Sequence, residues 1–125
     1  MAMEAWGMKY KPNSDWNHAW GTAPLNIITR CLWGITPTLP GFALVRIAPQ
    51  MSNLSFSTIK VPTVKGQITG DYKEIRGKKH FVIVLPEGMS GEFIWEKAPV
   101  AKTGLTATAK TYMLHPGVNT IEVDR

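Results

Sequence analysis

Residues 13–41 read N-S-D-W-N-H-A-W-G-T-A-P-L-N-I-I-T-R-C-L-W-G-I-T-P-T-L-P-G. This is the one long stretch with helical rather than strand character. Asn13, Ser14, Asp15 and Thr22 are N-cap residues by type, and Pro24 is tolerated in a first turn. From Ala23 to Trp33 apolar side chains occupy most of the helical circumference. Leu25, Ile28 and Leu32 form one stripe, and Ile27 and Cys31 a second. A helix apolar on more than one side needs cover on more than one side. Gly34 is a natural residue just past a helix end, and Pro37 prevents the helix from resuming. Gly34, Pro37, Pro40 and Gly41 together read as a linker-like boundary.

Beyond Gly41 the period changes from helical to alternating. Strands are expected at Phe42–Pro49, Leu54–Val61, Lys65–Ile75, His80–Leu85, Glu92–Glu96, Lys110–Leu114 and Val118–Val123. The run H-F-V-I-V-L at 80–85 is the strongest of these. Gly66 and Gly70 suggest a bend or bulge in the third strand. Seven or so short strands with turns at regular spacing predict a mainly β protein, an antiparallel β-sandwich of jelly-roll-like form preceded by one N-terminal helix. Two units follow from this reading: a helical segment, 1–34, and a sandwich domain, 35–125.

Composition sets the outer bounds. The 125 residues suffice for one core, and 44% hydrophobic with 18% charged residues fits a globular chain. The net charge of +5 raises the question of nucleic acid, but the basic residues are dispersed. Their one tight group, Arg76, Lys78 and Lys79 around Gly77, reads as a solvated hairpin turn. Cys31 is the single cysteine, so an internal disulfide is excluded, and its neighbours suggest a buried, inert thiol. No apolar run reaches the length of a membrane span, and the first residues lack the pattern of a signal peptide. The compartment stays open.

The residues offer little chemistry. Glycoside hydrolysis needs two carboxylates facing each other across the bond, and no two acids of this chain fall in one apolar, aromatic setting. His18, His80 and His115 are far apart, and Cys31 has no second ligand at metal spacing, so neither a metal nor another cofactor is expected. No nucleophile elbow or phosphate loop occurs. One constellation remains: Trp16, His18 and Trp20 near the N-terminal edge of the helix. Aromatic faces stack on pyranose rings and a histidine hydrogen-bonds hydroxyls, which makes a sugar contact conceivable; buried packing is the competing reading, favoured by composition.

The strings W-N-H-A-W-G-T-A-P (16–24), L-W-G-I-T-P-T-L-P-G-F (32–42) and V-R-I-A-P-Q (45–50) resemble the end of bacterial α-L-rhamnosidases, glycoside hydrolase family 78. V-P-T-V-K-G-Q-I-T-G-D-Y (61–72) is similar to a strand pair of that family's C-terminal β-sandwich. The resemblance implies that residues 1–34 are the last helical portion of an (α/α)6 catalytic barrel. It also implies that His18 contacts the sugar, with Trp16 and Trp20 beside it, and that the general acid and base lie upstream. The partners implied are the rest of a parent hydrolase and, through it, a rhamnose-containing glycan. By itself the chain is then expected to be inactive. The helix, stripped of its cover, should lie against the sandwich or pair with a second copy in a homodimer. The alternative is an autonomous carbohydrate-binding module, with Trp95 and either Tyr72 or Tyr112 as its aromatic platform.

Overall fold

The fold was analysed in a computed structural model that describes Lys9, residues 19–96 and residues 109–124. The helical run is continuous but changes pitch: a 3₁₀ turn at Ala19–Thr22, an α-helix (α1) at Ala23–Ile27 with Pro24 in its first turn, and a π-helical turn at Ile28–Leu32. The wide last turn is closed by the Trp33 N–H donating to the Ile28 carbonyl at 3.0 Å. Gly34 follows with φ +63°, as expected of a residue just past a helix end.

Among the described residues eight strands make two four-stranded sheets, so the expected β-sandwich is present. In chain order they are β1 (Ile35–Pro37), β2 (Leu44–Ile47), β3 (Phe56–Thr63), β4 (Gly66–Ile75), β5 (Lys78–Leu85), β6 (Ser90–Glu96), β7 (Ala109–Leu114) and β8 (Gly117–Asp124). One sheet has the order β1-β2-β6-β7 and the other β3-β4-β5-β8. The second is antiparallel throughout. In the first, β2 and β6 run parallel, with Val45 opposite Gly91 and Ile47 opposite Phe93. The chain leaves β2, builds β3 to β5 in the other sheet, and returns to pair with β2 in the same direction.

Period-two alternation places the core. Along β5, Lys79, Phe81, Ile83 and Leu85 face inward, and along β4 Ile68, Gly70 and Tyr72 do so. Their partners across the sandwich are Val45, Ile47, Phe93, Trp95 and Leu114. Phe81 is central, with ring centroids 4.9 Å from Tyr72, 5.0 Å from Phe93, 5.8 Å from Trp95 and 6.4 Å from Trp33.

Three expectations are corrected. The stretch after Gly34 is not a bare linker, because Ile35–Pro37 pairs with β2 and a 3₁₀ turn occupies Pro40–Phe42. Gly70 marks no bulge, since its ladder is regular on both sides, opposite Ile59 and Ile83. Its missing side chain makes room for Trp33: a Cβ there would lie 2.5 Å from the indole Cζ3. Trp33 itself, assigned from the sequence to the helical segment, is a core residue of the sandwich with no exposed surface.

Gly34 is constrained twice. Its backbone is left-handed, and a Cβ would come 2.1 Å from the Ala48 carbonyl oxygen. Gly34→Ala is therefore expected to destabilise the domain by at least about 2 kcal/mol, read as a lowered denaturant midpoint. An unchanged midpoint would contradict this packing.

Candidate functional site: the helix and its seat

The helix meets the sandwich at one end. Leu32 packs against the core and Trp33 enters it. The Trp33 Nε1–H donates to Ser57 Oγ at 3.1 Å, and the ring stands edge-on to Phe81. The backbone is fastened at the same place. The Gln50 N–H donates to the Leu32 carbonyl at 2.8 Å, and the Ala48 N–H to the Gly34 carbonyl at 3.2 Å. These bonds take up carbonyls that a helix end would otherwise leave unpaired.

Away from that end the apolar side chains are open. Leu25 is 68%, Ile27 58% and Ile28 43% exposed. Of the two expected ways to cover the helix, lying against the sandwich is met only at its end: among its described residues, Leu32 and Trp33 alone are seated. Cys31 is also exposed, not buried as its neighbours suggested, because no described part of the sandwich covers its face of the π-turn.

Trp16 and His18 lie outside the described residues. Trp20 belongs to the 3₁₀ turn Ala19–Thr22 at the free end of the helix, and its side chain lies outside the description. The sugar-binding role of all three remains an expectation from the sequence.

The platform of the alternative reading is absent. Trp95 and Tyr72 are buried in the core, and Tyr112 is half-buried against Phe93 at 6.1 Å. The Tyr72 hydroxyl donates to the Leu54 carbonyl at 2.9 Å, so its polar end faces the protein. Trp95 Nε1 has no hydrogen-bond partner among the described residues. The alternation of Trp95 with Phe93 was the sequence signal for this inward placement.

The basic group at 76–79 splits. Arg76 and Gly77 form a two-residue hairpin turn with φ 52° and 80°, which matches the expected turn. Lys79 points inward, and its ammonium lies 5.2 Å from the Trp95 ring centroid and 5.9 Å from that of Tyr72. It donates to the Ser52 carbonyl at 3.3 Å. Lys78 points outward and hydrogen-bonds Glu122, which also lies 3.3 Å from His80 Nδ1. Arg46 pairs with Glu92 at 2.8 Å on the other sheet. Among the described residues no group of three or more His, Cys, Asp or Glu could hold a metal ion, and no helix is long and apolar enough to cross a membrane.

A family model described as the bacterial alpha-L-rhamnosidase C-terminal domain matches residues 34–114, most of the chain. The chain belongs to that family. The match begins at Gly34, the residue where the helix turns into the sandwich. No curated protein matches by sequence. Among solved structures, the α-L-rhamnosidase of Aspergillus terreus is similar with a TM-score of 0.74 at 15% identity, over 98% of this chain and 14% of that one. That of Dictyoglumus thermophilum gives 0.70 at 13% identity, over 98% and 16%. A Streptomyces avermitilis α-L-rhamnosidase complexed with L-rhamnose gives 0.69 at 15% identity, over 98% and 13%. This rhamnosidase C-terminal domain thus spans about one-seventh of the length of these proteins.

On the outer face Lys78 and Glu122 shift each other's titration. The hydrogen bond from Lys78 holds the Glu122 carboxyl below its ordinary value, with the charges of Lys78 and His80 adding to it and desolvation opposing. The same bond raises Lys78. A lowered carboxyl contributes stability above its unfolded pKa of about 4.3 and loses it as pH falls through the lowered folded value. Glu122→Gln should therefore lose less of its unfolding midpoint than the parent sequence as pH falls below about 4.3, the unfolded carboxyl value. Because both groups are open to solvent, the difference should shrink in 1 M salt. Identical acid limbs in the two proteins would show that the pair contributes nothing.

Proposed function

We propose that this domain is the non-catalytic C-terminal sandwich of an α-L-rhamnosidase-like glycoside hydrolase, with residues 1–34 forming the last helical portion of the catalytic barrel. In that role it braces the barrel through the helix, and the segment just upstream contributes His18 to the sugar site, flanked by Trp16 and Trp20. The observation that carries the reading is the helix. Leu25, Ile27 and Ile28 are open to solvent although they precede a sandwich with a well-filled core. Three large aliphatic side chains on one short helix are costly to leave in water, at about 1.5–3 kcal/mol each when fully buried instead. A catalytic domain packed over them removes that cost. The family match and the similarity to whole rhamnosidases support a rhamnosidase catalytic domain as that partner.

The reading separates the chain alone from the chain in its parent. Purified by itself, it should leave an aryl α-L-rhamnoside unhydrolysed. In the intact enzyme, His18→Ala should raise KM for that substrate by roughly tenfold or more, as loss of a sugar hydrogen bond to a polar site does. Hydrolysis by the isolated chain would refute the non-catalytic assignment. An unchanged KM in the variant would remove His18 from the sugar site.

The same open face favours a second behaviour in isolation. Without a barrel to cover it, the helix should pair with a second copy, giving a homodimer. Light scattering is expected to report a dimer at high concentration, and Ile27→Glu to return a monomer. A monomeric parent sequence under those conditions would show that the face tolerates water.

A further inference from the structure

Lys79 on β5 and Trp95 on β6 face each other between the sheets with more hydrogen-bond donors than the sandwich satisfies. Lys79 is 6% exposed, the one buried charged residue among those described, and Trp95 is 9% exposed. The ammonium carries three donors and has one acceptor, the Ser52 carbonyl at the long distance of 3.3 Å. Its other neighbours are ring faces, 5.2 Å from the Trp95 centroid and 5.9 Å from that of Tyr72. Trp95 Nε1–H is the single buried side-chain donor without a partner among the described residues. Glu74 stands opposite Lys79 in the ladder, with its carboxylate 3.5 Å from the Tyr72 hydroxyl. No carboxylate among the described residues forms an ion pair with Lys79. A buried ammonium is costly unless something negative meets it, and native cores leave few donors unpaired. The aromatic faces offset part of that cost for the ammonium; the indole N–H still lacks an acceptor.

We infer that Lys79 and Trp95 hold a small monovalent anion of halide size between them, beside the turn at Ser52. The charge sets the class, because a single ammonium balances a single negative charge and the nearby Glu74 carboxylate disfavours any more. The donors set the kind. An ammonium and an indole N–H both give protons, so the occupant that suits them only accepts, as a halide does. The low exposure of both residues sets the size and excludes a bulky organic anion. Such an ion joins β5 of one sheet to β6 of the other. It binds the folded chain alone, so the stability of the sandwich rises with its concentration.

The test is urea unfolding of this chain in mixtures of sodium bromide and sodium gluconate, with total salt held at about 0.5 M so that screening of exposed charges is constant. Gluconate is too large for the site. Relative to Trp95→Phe, exchanging all gluconate for bromide should lower the unfolding equilibrium constant of the parent sequence by about tenfold, the factor 1 + [L]/Kd for a Kd of about 50 mM. Trp95→Phe keeps an aromatic ring and every charge, so the difference reports the indole N–H and cancels general effects of the two salts. Lys79→Met keeps the buried stem and removes the ammonium, and where it folds it should respond no more than Trp95→Phe. Equal responses of the parent sequence and Trp95→Phe overturn the inference, whether or not Lys79→Met folds; that is also the result expected if water alone meets the two donors. A folded Lys79→Met that responds like the parent sequence overturns it as well.

Discussion

The packing of one indole on one glycine is the contact on which the architecture depends. Trp33 joins the helix to the sandwich, touches the central ring of Phe81, and occupies a site on β4 where any side chain would collide with it. Truncating a buried aromatic of this size costs about 3–5 kcal/mol, a large share of the stability of a small domain. No other described residue of the helical run reaches the core so completely: Leu32 is only partly covered, and the rest lie outside. The domain is thus organised about a residue that belongs by sequence to the helix and by packing to the sheets.

Around that contact, the crossing from one sheet to the other is fastened by hydrogen bonds from the core outward. Between Ala48 and Ser55 the chain passes from β2 toward β3. Lys79 Nζ donates to the Ser52 carbonyl, the Tyr72 hydroxyl to Leu54, and the Glu74 N–H to Ser55 at 2.8 Å. A loop crossing between layers must pair its backbone groups or lose their hydration without return. Lys79 serves this need from an inward-facing strand position. Its stem is buried, and its ammonium is offered aromatic faces at Trp95 and Tyr72. Ser52, with φ 48°, holds a strained turn conformation at the point where the ammonium binds.

The alternating strands were legible because each has one face on a core and one in water. Phe93 and Trp95, or Phe81 and Ile83, report their side by parity alone. What failed were features set by tertiary contacts. Ile35–Pro37 carries too few residues to show a period, and its flanking Gly and Pro read as punctuation. Gly70 looks like a bulge because a strand glycine has no local signal that distinguishes a kink from an approaching indole. Lys79 lies in phase with the core but has the chemistry of a surface. The parallel pairing of β2 with β6 depends on where a chain returns after three strands in another sheet. The same limit applies to the candidate site: the helix's need for cover on more than one side was implied by its pattern, but its seating at one end was not.

The join between helix and sandwich has the composition of a flexible linker and the mechanics of a stiff one. Gly34, Pro37, Pro40 and Gly41 would, in solution, give a chain many conformations. Here Gly34 is locked against Ala48, Pro37 sits opposite Val45 in a ladder, and Thr38 N–H donates to the Leu44 carbonyl at 2.9 Å. Glycine is used for its left-handed backbone and close approach, and proline for its fixed φ; the proline rings restrict the chain directly, whereas the glycines are held by the contacts around them. A tether needs none of these bonds. A joint that transmits orientation needs all of them, because any loose dihedral between Trp33 and β2 would let the helix turn independently of the sheets. Stiffness at this point fixes the seated end of the helix on the sheets, while Leu25, Ile27 and Ile28 beyond it stay open to solvent.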